Sequence, residues 1–174
     1  MDFIKLCKNR YSVRKFSDKK VEEEKINIIL SSAQVSPTAC NKQPQKIYVL
    51  QSPEALEKLQ KCKTSHFGET LAFIITVDKT KCWVREYDDQ SSSYVDGSIV
   101  TTHMMLAAHA LGVATCWIHR ALEMFESGEG KAFLKEIGVE GDYVGVGNCV
   151  VGIPAWEQLP NPPARKDGRV VFVK

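Results

Sequence analysis

The stretch from about Ser93 to Leu111 constrains this chain more than any other. Ile99, Val100, His103, Leu106, Ala107, Ala110 and Leu111 recur at helical spacing, and Gly112 stands where a helix C′ glycine belongs. Met104, Met105, Ala107 and Ala108 extend the small, apolar character round the helix, which predicts burial on more than one side. An apolar strand, Val113–Ile118, follows at once.

The other elements alternate around it. Asp2–Lys8 reads as a short helix and Tyr11–Phe16 as extended chain. A helix from Val21 carries three glutamates in its first turn and Ile26, Ile29, Leu30 and Ala33 on one face, and it should stop before Ser36-Pro37. After a polar loop over 36–44, a strand Lys46–Leu50 leads to a helix capped by Ser52-Pro53 and running to about Cys62. Leu71–Val77 reads as a buried strand, 79–91 as an exposed excursion, 122–136 as one helix, and Tyr143–Ile153 as a long apolar strand. The chain ends in Arg169-Val-Val-Phe-Val, a predicted strand that must either cross its own domain or add to a partner's sheet. Residues 1–174 form a single domain of mixed α+β or three-layer type.

Apolar residues make up 44% of the chain and charged residues 25%, which argues against disorder. The longest apolar run, Leu71–Ile75, is far too short for a membrane span, and the N-terminus has no signal-peptide pattern. The six scattered cysteines form no C-x-x-C pair, so reduced thiols in a cytoplasmic protein are expected, and no metal site. There is no P-loop and no G-x-S-x-G elbow. Gly145 and Gly147 precede Pro154 rather than a helix, which fits strand packing better than a dinucleotide fingerprint. Cys116 and His119 lack an orienting acid for nucleophilic catalysis.

The net charge of +2 hides a segregation: residues 1–20 carry +5, residues 161–174 carry +3, and the 140 residues between them carry −6. The acidic body and the lack of any recognition motif argue against nucleic acid. In an extended segment, Arg10, Ser12 and Arg14 share one face, and two guanidinium forks with a hydroxyl suit phosphate oxygens. With Arg165 and Lys166 from the other basic end they would form an anion-binding cluster. A charged edge strand guarding a sheet, with solvated chain ends, explains the same residues.

Four segments together resemble the flavin-dependent nitroreductase family: Arg10-Tyr-Ser-Val-Arg-Lys-Phe16, Ser36-Pro-Thr-Ala-Cys-Asn-Lys-Gln-Pro44, Asp96 through Ile118, and Val146-Gly147 through Pro154 with the basic tail. The resemblance implies an α+β three-layer sandwich with a mostly antiparallel central sheet flanked by helices. It also implies an intertwined homodimer, with the helix 93–111 in the dimer core and FMN at the subunit interface. On that pattern Arg10 and Ser12 hold the phosphate and ribityl end together with Arg165 and either Lys166 or Arg169, and Arg14 approaches the pyrimidine edge. Pro37, Thr38, Ala39 and Asn41 come from the other subunit against the isoalloxazine, and Trp117 and Ile118 line the flavin cavity.

The implied activity is ping-pong oxidoreduction: NAD(P)H delivers hydride to flavin N5, then leaves, and an electron-poor acceptor such as a nitroaromatic or quinone takes its place. One site serves both substrates, so no separate nicotinamide motif and no acid/base dyad are needed. The competing expectations are a reductase of one dedicated metabolite, or a flavin-binding module that senses or stores FMN without turnover.

Overall fold

The computed structural model describes residues 2–62 and 65–173. Four strands, β1 (Gln45–Leu50), β2 (Leu71–Asp78), β3 (Ala114–Ile118) and β4 (Tyr143–Gly152), form one sheet in the order β1-β2-β4-β3, with every pairing antiparallel. The continuous apolar run of β2 reflects its place, because both of its faces are covered and all eight residues are buried.

Alternate residues feed two cores. Phe73, Ile75 and Val77 point into one, with Ile26 and Ile29 of α2 (Glu23–Gln34) and Val100, Met104 and Ala108 of α4 (Ser93–Ala110). Ala72 and Ile74 point into the other, with Leu56 and Leu59 of α3 (Pro53–Lys61), Met124 of α5 (Ala121–Glu126), and Phe133 and Leu134 of α6 (Gly128–Glu136). The result is helices on both faces of an antiparallel sheet, the expected α+β sandwich.

Local signals place most boundaries. Asp2 caps α1 (Phe3–Asn9), its carboxylate accepting from the Ile4 and Lys5 amides at 2.7 and 3.0 Å. Ser52 accepts from the Ala55 amide at 3.1 Å, with Pro53 opening the helix. Gly112 closes α4 with φ +73°.

One expectation is corrected, and two more, the burial of α4 on several sides and the strand in the tail, are not met within the single chain. The single helix predicted over 122–136 is two, because Ser127 is extended (ψ 152°) and its hydroxyl caps Gly130 at 2.9 Å, which starts α6 afresh. A side chain at 130 would collide with the Met124 carbonyl, so the tight corner depends on that glycine.

Next, α4 is covered on one side only. Gly97, Val100, Met104 and Ala108 face the sheet, and a Cβ on Gly97 would lie within 2.5–2.9 Å of Val146. Val146 is the extra residue of a bulge, since Ile75 pairs with Gly147 and Thr76 with Gly145. Tyr94, Val95, Ser98, Ile99, His103 and Leu106 line an open groove of about 540 Å³, so part of the periodic stripe in the sequence lies away from this chain's core.

Finally, the predicted strand at 169–173 forms no ladder, and all five residues are exposed. It has strand propensity, but a strand also needs an edge to pair with.

Candidate functional site

The Arg10–Phe16 segment is held by Val13 and Phe16. Val13 is fully buried and Phe16 nearly so. The Val13 amide donates to the Thr115 carbonyl at 3.0 Å, the Phe16 amide donates to the Phe67 carbonyl at 2.9 Å, and Ser12 bridges to Thr115 in parallel fashion. The segment thus lies along the outer edge of β3. With Val13 turned into the core, Ser12 and Arg14 are turned away from it.

Arg10, Tyr11, Ser12, Arg14 and Arg165 line one cavity of about 240 Å³, closed by Pro162 and Pro163. Arg10 Nη1 donates to Ser12 Oγ at 3.4 Å, and Arg14 Nη1 donates to the Ser12 carbonyl at 3.3 Å. Among the described residues, no carboxylate pairs with any of these three arginines. Three guanidinium groups of like charge brought together without a carboxylate partner among the described residues have the chemistry to receive an anion. Their field reaches inward: His109 is pushed below its ordinary value, first by burial and then by the Arg10 charge. Lys166 and Arg169 do not line the cavity, and Arg169 Nε donates instead to the Lys166 carbonyl at 3.1 Å.

The loop with Pro37, Thr38, Ala39 and Asn41 lies elsewhere. Cys40, Asn41 and Gln43 have φ of 49°, 51° and 48°, three left-handed residues in one short loop, interrupted only by Lys42, and such a loop needs outside support. The Gln43 amide donates to Thr38 Oγ1 at 3.0 Å, and Gln43 Nε2 donates to Asn41 Oδ1 at 3.0 Å. The anchor is Asp96, almost fully buried in the first turn of α4, which accepts from the Ala39 amide at 2.9 Å and from Ser92 Oγ at 2.7 Å. Asp96 stood in the sequence only as one member of a resembling segment. The available signal was a lone acid in the first turn of an otherwise uncharged helix. Asp96→Ala is expected to cost about 2 kcal/mol of stability by stranding those donors, read as a lower urea midpoint with an unchanged m-value.

Loop and arginine cluster therefore sit near opposite ends of α4, whose 18 residues span about 27 Å.

Trp117 and Ile118 are neighbours in β3 and so point to opposite faces. Trp117 packs on the α4 side over Gly147, where an added Cβ would lie 2.2 Å from Nε1. Its indole N–H is buried without an acceptor among the described residues. The Ile118 side chain is buried in the opposite core, so the two do not share a wall. Cys149, fully buried beside them, has its thiol pushed up to about 12 by burial and then by Cys116, and is inert.

The comparisons with known proteins agree with this geometry. A family model described as the nitroreductase family matches residues 7–68 and 61–153. A protein of Archaeoglobus fulgidus, provisionally named NADH dehydrogenase/NAD(P)H nitroreductase, is 32% identical over 119 residues, 66% of this chain and 66% of that one. The crystal structure of a nitroreductase family protein from Clostridium difficile 630 superposes with a TM-score of 0.81 at 33% identity, over 99% of this chain and 94% of that one. A nitroreductase with bound FMN from Bacteroides fragilis shares the fold over both whole chains, with a TM-score of 0.87 at 19% identity. With its arginine cluster, its sandwich and the family match across residues 7–153, this chain belongs to the nitroreductase family.

Proposed function

We propose that the chain is an FMN-dependent oxidoreductase that takes hydride from NAD(P)H and passes it to an electron-poor small molecule, a nitroaromatic or a quinone, as a homodimer. The observation that carries this reading is the cavity lined by Arg10, Ser12, Arg14 and Arg165, whose arginines lack carboxylate partners among the described residues. A phosphate monoester fits those donors, and the buried Trp117 N–H is a further donor awaiting an acceptor.

When bound, the flavin supplies the hydride-accepting and hydride-donating centre, so the protein needs no acid/base dyad of its own. Arg10, Ser12 and Arg165 would hold the phosphate and the adjoining ribityl, with Lys166 or Arg169 joining them if the tail shifts. Arg14 would lie toward the pyrimidine edge, where a cation stabilises negative charge. Trp117 would wall the ring, and Ile118 would contribute only through its backbone.

Pro37, Thr38, Ala39 and Asn41 lie about a helix length from the cluster of their own chain. A second copy packed across the open α4 groove would bring its loop to this cluster, and the same contact would cover Tyr94, Val95, Ile99 and Leu106. Two separate features support the dimer reading, the distance from the loop to the cluster of its own chain and the uncovered apolar face of α4.

The test is the visible spectrum of the purified protein, recorded anaerobically before and after NADH or NADPH. The expected result is an oxidised-flavin spectrum that bleaches on reduction and returns on adding menadione. Bound flavin that neither nucleotide bleaches would make the chain a flavin-binding module without turnover. A colourless protein that takes up no added FMN would sink the proposal.

A further inference from the structure

The open groove along α4 carries one ionisable ring among apolar and hydroxyl side chains. Ile99, Thr102 and Leu106 line it together with His103. His103 stands one turn after Ile99 and one turn before Leu106, so its ring belongs to the same stripe. It is half-buried, and no hydrogen bond or ion pair holds it among the described residues. No Asp, Glu, Lys or Arg lines the groove, either from α4 or from α1, α2 and the sheet, which pack against that helix. The titratable groups on this face are Tyr94 and His103. Of the others on α4, Asp96 is turned to Ser92 and Ala39, and His109 stands near Arg10 at the far end.

An imidazole in such a place tolerates cover in only one charge state. A second copy laid on this face replaces water by an apolar contact, and the twofold symmetry of that contact makes each subunit bring the same groove and its own His103. The neutral ring accepts that burial. An imidazolium would lose its hydration there and meet no carboxylate, because the copy's groove has the same lining.

We propose that His103 is a pH gate on the contact between two copies of this chain, closed while the ring is neutral and opened by its protonation, and that acid thereby loosens the flavin site the two copies share. The inference rests on the homodimer reading above. An imidazole in water titrates near about pH 6.5. The dimer keeps its two rings neutral below that point, so it holds fewer protons than two separated chains. Its stability is then fully present above about pH 7 and is lost as the pH falls. With two rings per dimer, the dissociation constant rises about 100-fold between pH 8 and pH 5.5. Flavin binding weakens with it, because on that reading the loop over 37–41 reaches the arginine cluster only from the second copy.

The experiment uses the full chain loaded with FMN. Histidine-ring NMR, with His103 assigned from the spectrum of His103→Gln, follows the ring in the dimer from pH 8 to pH 5.5. Mixing two fluorescently labelled populations times subunit exchange at both ends of that range, and released FMN is read by its own fluorescence. The His103 resonance is expected to hold its neutral position in the dimer down to about pH 5.5. Subunit exchange in the parent should be at least about 10-fold faster at pH 5.5 than at pH 8, and in His103→Gln, whose amide takes up no proton, it should change by less than about twofold. Protonation of the FMN phosphate near about pH 6 acts on both proteins alike. The excess FMN release at pH 5.5 in the parent, at least about fivefold over the variant, therefore isolates His103.

A dimer whose His103 ring titrates near about pH 6.5, as a free imidazole does, would overturn the gate while leaving the dimer and its flavin chemistry intact. Exchange in the parent that is indifferent to pH, or that quickens with acid equally in His103→Gln, would overturn it in the same way. If the glutamine variant fails to dimerise, the ring titration of the parent decides alone. A chain that is monomeric at pH 8 would overturn the dimer reading and this proposal together.

Discussion

Replacing Arg10 and Arg14 together by glutamine is expected to weaken FMN binding by about 10²–10⁴-fold, with little change in stability. Each guanidinium stands to give charge-assisted hydrogen bonds to the ligand, worth about 1.5–3 kcal/mol apiece, and 1.4 kcal/mol is about tenfold in affinity. Neither arginine has a carboxylate partner to strand among the described residues. Their contacts within the protein are long ones to Ser12, at 3.4 and 3.3 Å. The folded state therefore loses little, and the thermal midpoint should stay near that of the parent. Titration of FMN fluorescence against the double variant checks the first half and a melting curve the second. Affinity within about threefold of the parent would remove these residues from the binding site.

The second large effect concerns the sheet that positions the site. Phe73 is fully buried at the middle of β2, paired with Val49 on one side and Cys149 on the other. Its ring fills the core between the sheet and the helices α2 and α4. Truncation to alanine forfeits the buried aromatic surface and leaves a cavity that a β-ladder held on both sides cannot close by shifting. The expected cost is about 3–5 kcal/mol, a fall of roughly 10 °C in melting temperature for a chain of this size. A loss under about 1 kcal/mol in urea unfolding would mean that this core is far more plastic than close packing allows.

The two effects separate what binds from what holds the binders in place. The arginines stand on an extended segment whose position depends on Val13 and Phe16, and those in turn depend on the core they enter. Asp96 does the same for the distant loop, joining Ala39 to the first turn of α4 across 57 positions of sequence. Buried groups of this kind set where the residues of the proposed site stand.

Much of this was legible along the chain because its causes are local. The period-two face of Arg10, Ser12 and Arg14 follows from strand geometry alone. The capping serine and proline of α3 and the glycine after α4 mark their boundaries through the conformations those residues favour. The uninterrupted apolar run of β2 announces burial on both faces. Other features were decided only by tertiary contacts. An indole stacked over Gly147, a bulge at Val146 seated against Gly97, and a carboxylate reaching an amide 57 residues away are meetings between segments whose composition does not encode one another. The all-round apolar character of α4 and the unpaired strand chemistry of the tail have one physical reason in common. Burial and ladder pairing each need a second surface, and whether the chain itself supplies that surface is settled by where its elements pack.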